Sequence, residues 1–305
     1  MNHPVADTPD VSILMAEIRE ALDRLGGLPP DTSRAALLSR ALHALQAPER
    51  SLPRLPEAVI QAVKVVESPR CDVLDLADTL NAEPSIAARV AAIANSAFFA
   101  GPEPVYTARD AVVRMGIRET RNIVMGVALR DLLLEGPGYA IQRRQLWQRS
   151  LATAACAQGI MCEISFDDGS GFMAGLAHDL GRATIFTWAS ELEGGPATLD
   201  AITPVAQALH MPLAALILRQ WRLGNDLVLA VRDYHRVMES RSAMAVALEA
   251  AERMARHLID GEAAITAASD PALCGLLGEL GIDANRLVIL MSDSSSRLDE
   301  LMKVL

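Results

Sequence analysis

The feature that most limits the fold of this chain is a series of short apolar stripes with helical spacing. From Leu52 onward, apolar residues recur at intervals of three and four, and prolines, glycines or polar residues separate one stripe from the next. The first such stripe contains Val59, Ile60, Val63 and Val66. No stretch of useful length alternates apolar and polar residues as a strand does. The sequence therefore predicts an all-α fold, and 4% aromatic residues imply a core of small and branched side chains.

Turn and cap residues divide the chain into helices and indicate two lobes. Asp72 is an expected N-cap, Pro84 suits a first helical turn, and Thr107 can cap the helix after it. The Gly136-Pro137-Gly138 segment ends a longer helix, so we place the seam between the lobes at residues 136–140. Further helices are predicted at about residues 146–162, 203–210, 212–221, 226–238, 243–259, 271–280 and 283–303.

Residues 1–50 are predicted to form a helical appendage of two short amphipathic helices. The first ends at Gly26-Gly27, and the second begins at Asp31, Thr32 or Ser33. A hairpin of this size cannot bury its own apolar stripes, so it should pack on the main body or on a second copy. We therefore expect an appendage over residues 1–50, a main domain over 51–255 and a C-terminal helical extension over 256–305. Within the main domain, lobe 1 spans about 51–138 and lobe 2 about 139–255.

Charge, cysteine usage and hydropathy restrict the location and the partners of the protein. A formal net charge of −10 argues against a nucleic-acid partner, because few cations are left to neutralise phosphates. The four cysteines, none in a Cys-x-x-Cys pair, are interpreted as buried residues in a reducing compartment: Cys71, Cys156, Cys162 and Cys274. Residues 1–10 do not resemble a signal peptide, and we expect no apolar run of the roughly 18–20 residues that a membrane span needs. We expect a cytoplasmic protein without membrane or nucleic-acid partners.

The stretch from Phe172 to Gly181 carries the strongest candidate for a functional site. His178 and Asp179 stand side by side near the end of an apolar helix, and Gly181 is expected to end that helix. The pair is interpreted either as half of a metal site or as a buried pair that locks two helices together. Two ligands alone do not make a site, so the second interpretation is favoured at this point.

Seven short motifs resemble, in order and spacing, those of HDOD domains, bacterial relatives of the HD and HD-GYP phosphohydrolases. They are Leu52-Pro-x-Leu-Pro56, Ala94-Asn95-Ser96-Ala97-Phe98, Ala111-Val-Val-Arg-Met-Gly116, Leu146-Trp147-x-x-Ser150, Gly175-Leu-x-His-Asp-Leu-Gly181, Trp221 and Tyr234-His235. The resemblance covers about residues 50–255. It implies a two-lobed helical domain whose second lobe is HD-hydrolase-like, and a regulatory or scaffolding role in signal transduction.

The resemblance also implies that the HD site is degenerate. The first metal-binding His of a working HD site should follow Trp147 by two residues, where this chain has Arg149, and a guanidinium cannot ligate a metal. The later Asp should fall within residues 247–253, where only Glu249 and Glu252 offer carboxylates. We expect no catalytic residue and no bound metal; any metal would use His178 and Asp179. Arg149 can instead pair with Asp179 in place of the ion, as a hypothesis.

Other candidate residues have weaker signals. His235 can face the same site, whereas His210 and His257 are given no role. Asn95 and Ser96 are expected to hold turns of lobe 1 or, less favoured, to contact a ligand. Trp147 and Trp221 are expected to anchor the core.

Two functions remain open from the sequence. The favoured one is a non-catalytic signalling module without a cofactor. It would bind signalling proteins (cyclic-di-nucleotide pathway components among them), a small ligand or a second copy. The alternative is a metal-dependent phosphohydrolase whose site is built on His178, Asp179, His235 and Glu252. A transcription factor is disfavoured, because the chain has no basic face or helix-turn-helix pattern.

Overall fold

A computed structural model of the chain describes residues 10–28, 31–67, 72–99, 101, 103–166, 169–237 and 242–305. All regular structure in these residues is helical, so the predicted all-α fold is confirmed. The α-helices are α1 (Val11–Gly26), α2 (Thr32–Ala44), α3 (Pro48–Ser51), α4 (Glu57–Glu67), α5 (Val73–Asn81), α6 (Pro84–Ala94), α7 (Ala108–Met115), α8 (Ile117–Leu134), α9 (Ala140–Glu163), α10 (Ser170–Ala177), α11 (Leu180–Ser190), α12 (Leu199–Gln220), α13 (Asn225–Asp233), α14 (Ala243–Ile259), α15 (Ala264–Ala267), α16 (Pro271–Glu279) and α17 (Ala284–Val304).

Lobe 1 consists of α4 to α8, and two of its helices, α5 and α7, begin at the capping residues that the sequence predicts. The Asp72 side chain accepts hydrogen bonds from the backbone N–H groups of Leu74 and Asp75, and the Asp75 carboxylate accepts one from the Asp72 N–H in return. Thr107 accepts from the N–H of Asp110 at the start of α7. These bonds satisfy N–H groups that have no partner within a helix.

Lobe 2 is built on α9, which packs against α10 and α14, while α11 and α13 pack against α12. The prediction of two helices around Pro212 is wrong, because α12 runs without a break through Pro204 and Pro212. A proline inside a helix removes one hydrogen bond. Burial of α12 between α1, α2, α11 and α13 offsets that loss.

Helix α12 also contradicts the expectation that no apolar run is long enough to span a membrane. Among the described residues, Leu199–Gln220 is one helix that is long and apolar enough to cross a membrane, by length and composition. In its most apolar window, 72% of the residues are buried inside the protein. A central core helix gives the same signal, so α12 is weak evidence for a membrane span.

The two terminal extensions pack on the body of the same chain. Helices α1 and α2 lie on α11 and α12, and the apolar stripes of both are buried there. Two ion pairs bind this hairpin to lobe 2, Arg40 with Glu191 at 2.8 Å and Arg232 with Glu17 at 2.5 Å. The stripes therefore need no second copy of the protein to cover them.

At the other end of the chain, α17 contacts both lobes. It packs along α9 of lobe 2. Arg297 pairs with Glu119 of α8, and its guanidinium lies 5.1 Å from the centre of the Phe98 ring, so both contacts are in lobe 1. The C-terminal helix thus fastens one lobe to the other.

The seam between the lobes is organised by Arg143, which is fully buried. Its guanidinium donates hydrogen bonds to the backbone carbonyls of Leu133, Pro137 and Gly138 and to the Thr187 hydroxyl. Burial lowers the pKa of this guanidinium. No sequence motif indicated this role, because the bonds form only when the chain reverses between α8 and α9.

The expected burial of the cysteines holds only in part. Cys156 is buried, and burial raises the pKa of its thiol to about 12. Cys162 is exposed at the end of α9, which contradicts the expectation for that residue. Cys71 lies outside the described residues.

Candidate functional site

His178 and Asp179 lie in the turn between two helices and not within one helix. Helix α10 ends at Ala177, His178 is its C-cap, and Asp179 is the N-cap of α11. The prediction that Gly181 ends the helix is wrong, because Gly181 lies in the first turn of α11. Both side chains of the pair are buried.

The two glycines of the Gly175–Gly181 motif allow the helices to approach each other closely. A Cβ atom on Gly175 would lie 2.5 Å from the backbone of Ala154 in α9. A Cβ atom on Gly181 would lie 2.2 Å from the carbonyl oxygen of His210 in α12. Real Cβ contacts are not this short, so glycine is required at both crossings. The motif thereby fixes His178 and Asp179 between α9 and α12.

The Asp179 carboxylate is bound by two arginines. Arg149 on α9 donates to Oδ2, with Nε at 3.0 Å and Nη2 at 2.8 Å. Arg182 donates from Nε to Oδ1 at 2.7 Å. The ion pair between Arg149 and Asp179, a hypothesis from the sequence, is therefore present. Desolvation alone would raise the pKa of Asp179, but His178, Arg149 and Arg182 together hold it well below its ordinary value.

His178 is oriented by the backbone of α10. Its Nδ1 lies 2.7 Å from the Gly175 carbonyl oxygen, so Nδ1 carries the hydrogen and donates it. Its Nε2 is buried, has no hydrogen-bond partner in the described residues, and lies 3.4 Å from Asp179 Oδ2. An imidazole held at Nδ1 by a backbone carbonyl, with Nε2 turned toward a carboxylate, has the orientation of a metal-ligating histidine.

The ligand set does not fit the divalent ion of a working HD hydrolase. The Nε2 of His178 has no hydrogen-bond partner in the described part of the chain, but both carboxylate oxygens of Asp179 already accept hydrogen bonds from cations. Arg149 stands where the resemblance places the first His ligand. An ion here would have to displace two guanidinium groups that cannot lose their charge.

His210, which no sequence motif marks as a site residue, is part of the same buried cluster. Its Nδ1 donates to the Ala206 carbonyl oxygen at 3.0 Å, and its Nε2 accepts from the Tyr234 hydroxyl at 3.1 Å. Burial, with a smaller effect from Arg182, lowers the pKa of His210 to about 3. Burial and the nearby carboxylates of Asp179 and Glu252 raise the pKa of Tyr234 well above its ordinary value. Both groups are therefore neutral near pH 7.

His235 lies beside Tyr234, with ring centres 4.0 Å apart, and faces two glutamates of α14. Its Nδ1 is 2.6 Å from Glu249 Oε2, and its Nε2 is 3.6 Å from Glu252 Oε2. Desolvation raises the pKa of Glu249, but the stronger combined effect of His235 and Arg253 lowers it. The structure thus separates the predicted site residues into two groups, Arg149 with His178 and Asp179, and His235 with Glu252. Tyr234 contacts both groups.

The other candidate residues have contacts within the chain. Asn95 donates to the Val105 carbonyl oxygen at 2.7 Å and accepts from the Val105 N–H at 2.8 Å, which supports its role in holding lobe 1. The Ser96 hydroxyl is buried without a partner in the described residues. Trp147 and Trp221 are buried, as expected for core anchors, and Trp221 donates to the Pro53 carbonyl oxygen at 2.9 Å.

A cleft of about 710 Å³ opens between the lobes. The linker before α4 forms one wall, α6 and α8 contribute from lobe 1, and α11 contributes from lobe 2. Its surface combines apolar side chains with an Arg89–Asp131 ion pair at 2.5 Å. Four hydroxyl residues also line it: Ser51, Ser85, Thr184 and Thr187. Leu180, the residue after Asp179, lines the same cleft.

Comparisons with known proteins identify the family. The sequence model of the HDOD domain matches residues 52–237, more than half of the chain. The chain belongs to the HDOD domain family. An uncharacterised protein of Treponema pallidum (strain Nichols) is 23% identical over 199 residues, which is 60% of this chain. The match spans only 37% of the length of that protein.

Solved structures share the HDOD fold at low sequence identity. An HDOD domain protein of unknown function from Geobacter sulfurreducens superposes with a TM-score of 0.66 at 19% identity, covering 97% of this chain and 99% of that one. A protein provisionally named as a signal transduction protein, from Marinobacter aquaeolei VT8, superposes with a TM-score of 0.64 at 22% identity. The superposition covers 97% of this chain and 66% of that one. A protein provisionally named as a metal-dependent phosphohydrolase, from Shewanella amazonensis SB2B, superposes with a TM-score of 0.60 at 19% identity. The superposition covers 88% of this chain and 100% of that one. These likenesses establish the two-lobed fold with its HD-like second lobe.

Proposed function

We propose that this HDOD protein is a non-catalytic signalling module of the bacterial cytoplasm that acts by binding a partner. The observation that carries the proposal is the double guanidinium contact on Asp179. A hydrolase of the HD type needs this carboxylate to hold a divalent ion that polarises a phosphoryl group and supplies hydroxide. Here the carboxylate is already neutralised, so the site stabilises the fold and does not activate water.

The inter-lobe cleft supports the binding half of the proposal. Its volume of about 710 Å³ lies within the range of ligand pockets, roughly 300–1,000 Å³, and its mixed apolar and polar surface is typical of them. It is formed by both lobes, so an occupant would contact both at once. We propose a signalling protein as the partner, with cyclic-di-nucleotide pathway components as the first to examine. A net charge of −10 disfavours a nucleic acid.

Site-specific photo-crosslinking in a bacterial host tests this assignment. A photoreactive amino acid replaces Ser85, an exposed residue of the cleft wall, and in a control it replaces Ser292, an exposed residue of α17. The proposal predicts a discrete crosslinked signalling protein from position 85 and none from position 292. Equal products at both positions, or none at 85, would contradict it. A crosslink to a second copy would indicate a homodimer instead, which light scattering checks independently.

A metal-dependent phosphohydrolase is the second candidate, because His178 keeps the orientation of a metal ligand. Its Nε2 is buried without a hydrogen-bond partner in the described residues, and its Nδ1 is held by the Gly175 carbonyl. This function requires the ion to release Asp179 from both Arg149 and Arg182. Turnover of a phosphodiester that depends on His178 would establish it.

A further inference from the structure

We propose that His235, Glu249 and Glu252 form a binding site for one divalent transition-metal ion, apart from the pair His178–Asp179. One ligand atom from each of the three residues lies within 4.8 Å of the other two. Two ligands at the zinc bond length of about 2.0–2.2 Å lie at most about 4.4 Å apart, so a small side-chain movement is enough to bring all three atoms onto one ion. The site goes beyond the proposed signalling function, which requires no metal.

The local structure directs both carboxylates at the same ring. Glu249 and Glu252 are three residues apart on α14, so they share one face of the helix. His235 comes from the short 3-10 helix Tyr234–Arg236, which packs on α14. Oε2 of Glu249 and Oε2 of Glu252 are the oxygens nearest to the imidazole nitrogens, at 2.6 and 3.6 Å.

Arginines hold the outer oxygen of each glutamate. Arg253 contacts Glu249 Oε1 at 2.8 Å through Nη2, and Arg256 lies 3.6 Å from Glu252 Oε1. These contacts orient both Oε2 atoms toward His235, as outer partners do in known metal sites. An ion would take the place of the hydrogen bond between Glu249 Oε2 and His235 Nδ1, and Glu252 Oε2 has no hydrogen bond to give up. The arginines also weaken the electrostatic attraction of the site for cations. Strong ligand bonds must therefore supply the affinity, which favours a transition metal over Mg²⁺ or Ca²⁺.

An unpaired buried oxygen points to a missing ligand. The Glu252 side chain is only 8% exposed, and its Oε2 has no hydrogen-bond partner in the described residues. A buried charged oxygen without a partner is costly, and coordination of an ion would remove that cost. His235, whose side chain is 32% exposed, gives the ion a route from solvent. One imidazole and two carboxylates suit Zn²⁺ or Mn²⁺, with Zn²⁺ the tighter of the two.

Equilibrium dialysis of chelator-stripped protein against Zn²⁺, Mn²⁺ and Mg²⁺ tests the site. The expected result is one equivalent of Zn²⁺ per chain, weaker Mn²⁺ binding and no retained Mg²⁺. Zn²⁺ should also raise the melting temperature, because it binds the folded state. His235→Gln and Glu252→Gln should each lower the Zn²⁺ affinity at least tenfold, in line with the loss of a ligand. His235 is partly exposed, so its variant should fold. Circular dichroism checks that both variants are folded.

His257→Gln is the matched control. His257 Nδ1 also lies 2.6 Å from a glutamate, Glu262, and its Nε2 lies 3.6 Å from Asp270, but these residues do not form a three-ligand group. This variant should keep the wild-type Zn²⁺ affinity. Absence of Zn²⁺ binding by the wild type would overturn the proposal and leave His235 as a hydrogen-bonded bridge between two carboxylates. Loss of binding in His257→Gln but not in His235→Gln would overturn it as well. Phosphodiester turnover that depends on His178 is measured separately, so failure of this metal site and failure of the signalling proposal can be told apart.

Discussion

At the scale of single residues, the Asp179 carboxylate depends on two cations that reach it from different directions. Arg149 comes from α9, whereas Arg182 lies one turn along α11. The motif around Trp147 indicates that Arg149 lies near Asp179. The i+3 spacing of Arg182 from Asp179 likewise indicates that these two side chains can meet. His210 could not be found in this way, because its partner Tyr234 is 24 residues away.

Replacement of Arg149 tests the dependence of Asp179 on its ion pair. We expect Arg149→Met to lower the free energy of unfolding by about 1–3 kcal/mol, because a buried carboxylate loses one of two charged partners. Urea unfolding at pH 7 measures this change. Arg144→Met, an exposed position on the same helix, is the control and should change stability by less than about 0.5 kcal/mol. Equal effects of the two substitutions would contradict the structural role of Arg149.

The buried neutral state of His210 makes stability depend on pH. The pKa of His210 is lowered to about 3 in the folded protein by burial and by Arg182, against about 6.5 for an unfolded chain. Below about pH 6.5 the unfolded state gains a proton that the folded state does not, so stability is complete above that pH and falls toward pH 3. Between pH 7.5 and 5.0 the loss due to this group is about 2 kcal/mol.

Urea unfolding at both pH values, with a chelator present, measures this loss. His210→Gln should lose about 2 kcal/mol less than the wild type over the same interval. His43→Gln, at an exposed position in α2, should keep the wild-type dependence. Identical pH dependence in the wild type and in His210→Gln would show that His210 is not held neutral.

At the scale of elements, the crossing of α11 and α12 is set by the absence of a side chain at Gly181. A Cβ atom there would meet the backbone of His210, which a rotamer change cannot move away. Gly181→Ala should therefore lower stability by about 2 kcal/mol or more. Thermal unfolding measures it, with Gly278→Ala in α16 as the control. Nothing lies within 4 Å of a Cβ at Gly278, so that variant should be neutral or gain up to about 1 kcal/mol.

Most helices could be predicted from local signals, and the misplaced boundaries have long-range causes. Three helices begin as predicted, at Asp72, Pro84 and Thr107. These signals are local, because a cap acts on N–H groups two or three residues away and a proline acts at its own position. The uninterrupted course of α12 through Pro212 and the position of Gly181 inside α11 depend on neighbouring helices. Apolar periodicity within one segment carries no information about such neighbours.

At the scale of the whole molecule, the N-terminal extension covers lobe 2, whereas the C-terminal extension joins the two lobes. Helices α1 and α2 cover lobe 2, and α17 runs from α9 to contacts with α8. The need to cover the N-terminal stripes could be predicted from their length, but not which surface covers them. That choice rests on pairs such as Arg232 with Glu17, which are 215 residues apart in sequence.

The central claim is that Arg149 and Arg182 replace a catalytic metal at Asp179, and phosphodiester turnover tests it most directly. Purified protein is incubated with bis(4-nitrophenyl) phosphate and, separately, Mn²⁺, Ni²⁺ and Fe²⁺, beside the His178→Ala variant. We predict the same background rate for both proteins with every metal, even where the metal binds at His235. Turnover by the wild type that disappears in His178→Ala would contradict the account and establish a working hydrolase site.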